Sequence, residues 1–143
     1  MMRIGLAFVF TVFLGFGLGI GQTETAQPVD EHLDYWVKTL QTHPLKLIRK
    51  NAARNLGKLG KREAVGALVG ALKDTDSGVR AEAARSLGLL GDERAFSTLT
   101  DAAANDADRE VRRAAADSIE KIKSYLEFQK QKELKGQPQV PAE

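Results

Sequence analysis

The sequence predicts an all-α chain, a short α-solenoid of three helix-turn-helix repeats with an extended C-terminal helix. Three observations carry that prediction. A pattern that begins at Ile48-Arg49 returns at Val79-Arg80 and at Val111-Arg112, 31 and then 32 residues further on, and a fixed period of this size marks stacked repeats. Within each copy the apolar residues fall at relative positions 0, 4, 5, 8 and 11, for example Val79, Ala83, Ala84, Leu87 and Leu90 in the second, which is the spacing of one helix face. Each copy is preceded by another stretch of helical spacing, and no strand-like alternation competes with it.

Taken in order, residues 1–21 stand apart. Arg3 is followed by an apolar run from Leu6 to Leu14 and then by Gly15, Gly17, Gly19 and Gly21, the layout of a secretory signal peptide with small residues before a cut at Gln22. The alternative is an uncleaved anchor, because Ile4 to Ile20 is 17 residues long, the lower limit for crossing a bilayer. Either way Arg3 precedes the apolar run while Glu24, Asp30 and Glu31 follow it, so the positive-inside rule places the repeats outside. The expected location is therefore periplasmic or secreted, with membrane contact only if the segment is retained. Residues 22–29, with Pro28, read as a linker.

Helical spacing takes over at residue 30. Leu33, Trp36, Val37 and Leu40 form the first A helix, with Asp30 available as N-cap and His43-Pro44 as the break. Val65, Leu68, Val69 and Leu72 form the second, and Phe96, Leu99, Thr100 and Ala103 the third. The three recurring stretches are the B helices, and Gly60 and Gly91 are natural left-handed C-caps for two of them. The units are thus 30–60, 61–91 and 92–123, stacked because one helix pair cannot bury its own apolar stripe. The Ala pairs 52/53, 83/84 and 115/116 would let the helices approach closely. The last helix is expected to continue over 124–135 through Tyr125, Leu126 and Phe128, before a disordered tail at 136–143. Phe128, off the apolar face, would either dock on a partner or a second copy, or fold back to cap the open end, and the last is favoured because short arrays expose apolar ends.

Composition narrows the function. At 143 residues with 43% hydrophobic and 28% charged content, the chain has the make-up of one soluble domain. Lys plus Arg number 21 against 19 Asp plus Glu, a net charge of +2, too close to balance for a nucleic-acid-binding surface. With no cysteine there is no disulfide, thiolate nucleophile or thiolate metal site.

The run from Asp74 to Asp92, with Asp74, Asp76, Val79, Arg80, Ala83, Ala84, Leu87, Gly88, Leu90 and Gly91 at fixed spacing, closely resembles the HEAT-like repeats of the phycobilisome-lyase type. The first unit has Thr42-His43-Pro44 in place of the acidic turn, and the third has Glu120 and Lys123 in place of both glycines, so the end units look like degenerate caps. The resemblance spans residues 33–123 and implies a solenoid whose B helices line a concave, protein-binding surface.

Arg49, Arg80 and Arg112, at relative position 1, would either form a basic strip for an anionic ligand or pair with Asp74, Asp76, Asp106 and Asp108 in an inter-repeat ladder. The ladder is favoured, since those acids also suit helix starts. The wheel turns other side chains away from the core: Lys50, Arg54 and Lys58, then Glu82, Arg85 and Leu89, then Arg113, Asp117 and Lys121. Of these, Lys50, Arg54, Lys58, Glu82, Arg85 and Arg113 are the candidate partner-binding residues, able to steer an acidic protein segment. An ordinary solvated face is the competing reading.

Catalytic candidates are thin. His32 and His43 have no ligand-spaced partners, and His43 is expected to cap the helix after Pro44. HEAT-like di-iron hydroxylases carry His-Glu pairs, whereas this sequence has only Glu31-His32, so no metal or cofactor is expected. A phycobilin lyase is disfavoured by the short array and the export segment. The expected function is an exported scaffold for protein–protein interaction without catalysis of its own; the alternative is a self-associating structural unit, or remotely a HEAT-type enzyme or lyase subunit.

Overall fold

A computed structural model describes residues 33–136. The expected signal segment and linker, Asp30, His32 and the tail beyond residue 136 lie outside the described residues. Six α-helices follow one another: α1 (Leu33–Thr42), α2 (Lys46–Leu59), α3 (Val65–Ala71), α4 (Ser77–Leu90), α5 (Phe96–Asn105) and α6 (Arg109–Gly136). They pair as α1/α2, α3/α4 and α5/α6, with 3-10 turns at Arg62–Ala64 and Glu93–Ala95 leading into α3 and α5. The result is an all-α solenoid in which α2, α4 and α6 stack side by side. None of the described helices is long and apolar enough to cross a membrane.

Local chemistry explains where the helices stop. Gly60 and Gly91 take φ of 66° and 63°, a left-handed conformation that costs glycine little, and their N–H groups donate to Gly57 O and Leu87 O. The third unit carries Lys123 at the equivalent of Gly91. With no such stop, α6 runs for 28 residues, about 42 Å at 1.5 Å per residue. It does not fold back, and Phe128 is 63% exposed on it, which overturns the expectation of a capping Phe128. Tyr125 comes closest to that task, lying so near Gly91 that a Cβ there would stand 2.8 Å from its ring. Leu126 packs against the core beside it.

The core is one continuous cluster in which Leu56, Leu68, Val79, Leu87, Leu99, Val111 and Ile122 are fully buried. The alanine pairs behave unequally. Ala52, Ala83 and Ala115 all lie in the core, as do Ala53 and Ala84. Ala116 is exposed, because nothing among the described residues covers the flank it occupies. Thr100 is also exposed and donates to Phe96 O at 2.8 Å within its own helix, so the third A helix has a narrower apolar face than its spacing suggests.

The helices approach most closely through glycine and serine. A Cβ on Gly57 would stand 2.5 Å from Ser86 Oγ and 2.9 Å from Ser86 Cα; on Gly88 the values to Ser118 are 2.6 and 3.0 Å. These separations are too short for any side chain, so the two glycines set the spacing of the B-helix stack.

Candidate functional site

Each B helix has three polar fronts: one flank toward the preceding unit, one toward the following unit, and an arc between them. Arg49 and Arg80 occupy the following-unit flank. Arg49 Nε and Nη2 donate to Asp74 Oδ2 and Oδ1 at 2.7 and 2.8 Å, and Arg80 Nε and Nη2 donate to Asp106 Oδ2 and Oδ1 at 2.8 and 2.9 Å. Such two-pronged pairs are both strong and directional. The remaining Nη1 of each arginine turns back to its own turn, to His43 O and Pro44 O from Arg49, and to Asp74 O and Thr75 O from Arg80. Arg49 and Arg80 therefore form an inter-repeat ladder rather than an anionic-ligand strip, whereas Arg112, expected in the same ladder, has no carboxylate partner among the described residues.

The acids divide the work. Asp74 and Asp106 are the rungs, and each Oδ1 also accepts from the backbone N–H two residues on, at 2.9 Å. The guanidinium of Arg49 holds the Asp74 carboxyl below the usual carboxylate range against the opposing effect of burial, and Arg80 does the same for Asp106. Asp76 instead caps α4, accepting from Val79 N at 3.2 Å, and pairs with Lys46 of the preceding unit at 3.2 Å. Asp108 accepts from Glu110 N and Val111 N. His43 stands at the rung position of the first unit: its Nδ1 accepts from Leu45 N at 3.1 Å, the bond that Asp74 and Asp106 make in theirs. It shapes the turn and does not cap α2, whose N-cap position is Leu45 with no side-chain bond.

The candidate partner-binding residues fall into two groups. Arg54 Nε donates to Glu82 Oε1 at 3.0 Å and Arg54 Nη2 to Oε2 at 3.3 Å. Arg85 lies 3.7 Å from Glu82 and also grips Glu110 of α6. These side chains brace the three B helices across the stack. Glu82 is only 8% exposed, so the expectation that it turns away from the core fails. It lies on the flank toward the preceding unit, where Arg54 closes over it. Glu110, the acid that completes the brace, carries no sequence signal beyond its place one residue before Val111. Lys50 is half-buried, its stem running beside Gly78. Arg113 is exposed and 3.9 Å from Asp117 on its own helix.

Outside the brace, one row runs across all three helices at relative position 10: Lys58, Leu89 and Lys121. All three are exposed, Leu89 to 63%. A large apolar side chain between two lysines on a braced surface is the arrangement most able to take a partner's apolar residue flanked by acids. Among the described residues no three His, Cys, Asp or Glu side chains converge as metal ligands.

A family model of HEAT repeats matches residues 33–120. Among solved structures, the chain is similar to a chain of the complex of CpcE and CpcF of phycocyanin lyase from Nostoc sp. PCC7120, at 30% sequence identity and a TM-score of 0.60. The match covers 76% of this chain and 42% of that one, so the chain spans less than half the length of that neighbour. No curated protein matches.

Proposed function

The chain belongs to the HEAT-repeat family, and from that membership we propose that it is an exported scaffold that binds a protein partner through its B-helix face, without catalytic activity of its own. The observation that carries this reading is Leu89, 63% exposed between Lys58 and Lys121 on helices tied together by Arg54, Glu82, Arg85 and Glu110. A braced surface loses little conformational freedom on binding. The partner best suited to it is an acidic segment carrying an apolar anchor. The export half of the proposal rests on the arrangement of Arg3, the apolar run from Leu6 to Leu14 and the glycines up to Gly21.

The test is crosslinking in the exported fraction with wild type beside a Lys58→Glu/Leu89→Ser double variant. Arg54 and Arg85 are left unchanged, since an acid at either position would face the buried Glu82. The expected result is one heterologous protein recovered with wild type and reduced about tenfold or more with the variant. Equal recovery from both would remove this face as the binding site, and absence of the chain from the exported fraction would remove export. The similarity to a phycocyanin lyase chain favours a second reading, a subunit of a lyase-type assembly. Recovery of a phycocyanin as the crosslinked partner would replace the first reading with the second.

A further inference from the structure

The two ends of the ladder differ in chemistry. At the C-terminal end Arg112 is held as Arg49 and Arg80 are, with Nη1 donating to Asp106 O at 2.7 Å and Ala107 O at 3.1 Å. Its Nε and Nη2, the edge that grips an aspartate in the two preceding units, have no acidic partner among the described residues. Arg109 is in the same condition. It occupies the position of Lys46, which pairs with Asp76, and of Ser77, which hydrogen-bonds Asp108, yet it faces no acid among the described residues. Twice within this chain, this pair of positions receives the Asp-x-Asp turn of the next unit; in the third unit the pair is arginine at both positions, and no acidic turn meets it among the described residues. Ala116, on the same flank, is exposed where Ala53 and Ala84 are buried.

We propose that Arg109 and Arg112 form a docking site for a different helical-repeat protein, received through an acidic Asp-x-Asp turn. A second copy of this chain does not fit. Its leading turn offers His43 and Leu45 in place of the two aspartates, and because His43 Nδ1 already accepts from Leu45 N, the other ring nitrogen is a donor that would face the arginine donors. The match also has a limit built into it. Glu120 replaces the glycine that lets the next helix close in, and it pairs with Lys123 at 2.8 Å. An incoming helix is held off at that end, so the contact concentrates at the turn, on Arg109, Arg112 and Ala116. The B-helix face plays no part, and Lys58→Glu/Leu89→Ser leaves both arginines in place, so failure of one proposal does not imply failure of the other.

The probe is the chain itself, given the missing turn. His43→Asp/Leu45→Asp restores both acids, and Arg112→Glu in the same molecule disables its own receiving end. Mixed with wild type, this triple variant is expected to form a 1:1 complex in sedimentation velocity. Arg112→Ala in the receiving chain should weaken the complex about tenfold or more, and Arg109→Ala should weaken it less. The Arg112→Glu single variant, which keeps His43 and Leu45, should form none. Should the triple variant melt early, His43→Asp/Leu45→Asp alone must associate head to tail, and Arg112→Ala must abolish that association. Absence of a complex in both forms, or a complex indifferent to Arg112, overturns the proposal. Arg112-dependent association of wild type with itself also overturns it, by making a second copy the occupant.

Discussion

The α2–α4 and α4–α6 interfaces share an arginine fork and a glycine–serine contact, and the second of these differs between them by one bond. Each has an arginine fork on an aspartate, Arg49 on Asp74 and Arg80 on Asp106. Each has a glycine pressed against a serine, Gly57 on Ser86 and Gly88 on Ser118. Ser86 Oγ donates to Ala53 O at 2.8 Å, whereas Ser118 Oγ is buried with no partner among the described residues. The fork and the close approach thus recur because they follow from side-chain type and spacing, while the serine bond is an addition that one interface makes and the other lacks.

The largest test asks whether the two interfaces act as one. Leu87 is fully buried in α4, the helix they share, and Leu87→Ala should cost about 2–5 kcal/mol. In a three-unit array the expected outcome is a single thermal transition at lower temperature, because no unit buries its stripe alone. Two separate transitions in calorimetry would show that the interfaces melt independently and would break the comparison at its root.

Next come the forks. Arg49→Ala and Arg80→Ala should each cost about 1.5–3 kcal/mol, the range for hydrogen bonds to charged groups, and Arg112→Ala much less, since it pairs with no carboxylate among the described residues. The forks also leave a pH signature. Asp74 and Asp106 have folded pKa values below their unfolded ones, so the unfolded chain binds more protons in that window and stability rises with pH there. Their contribution is fully present above the unfolded pKa, near 3.8, and is lost as pH falls through the folded values. Acid titrations of stability should therefore flatten below about pH 4 in Arg49→Ala/Arg80→Ala. An unchanged acid limb would mean that the forks are not what holds these carboxyls ionised.

The glycines follow. Gly57→Ala and Gly88→Ala add a methyl within 2.9 and 3.0 Å of a serine Cα, which is backbone and cannot swing aside. Overpacking costs about 1–3 kcal/mol, against up to about 1 kcal/mol of helix propensity gained, so a net loss is expected at both sites. Ser86→Ala should not rescue Gly57→Ala, because Ser86 Cβ would remain 2.7 Å from the new methyl. Rescue in denaturant melts would show that the hydroxyl alone sets the spacing.

What could be read in advance was whatever repeats within a short window: the helix pairs, the left-handed Gly60 and Gly91, and the arginine ladder. What could not be read depends on which flank of a B helix meets a neighbour. Helical periodicity separates a core stripe from everything else, but in a stack two further arcs are covered, so Glu82 is buried where its place on the wheel suggests exposure. Ala116 is the converse, a residue at a packing position left exposed because no described residue covers its flank. His43 shows a third kind of difficulty. Its ring nitrogen does the turn-forming work of an aspartate oxygen, an equivalence visible only once both turns are seen in the same conformation.

The smallest effect separates the two interfaces most cleanly. Ser86→Ala removes a buried bond to Ala53 O and leaves that carbonyl short of a donor, at about 1 kcal/mol. Ser118→Ala removes a buried hydroxyl that has no described partner, which relieves a desolvation cost and should be neutral or stabilising. Both changes gain the same helix propensity and keep the Cβ that presses on the opposite glycine, so the difference between them isolates the bond. A difference near zero in paired denaturant melts would mean that Ser118 has found an acceptor in solution and that the two glycine–serine contacts are equivalent after all.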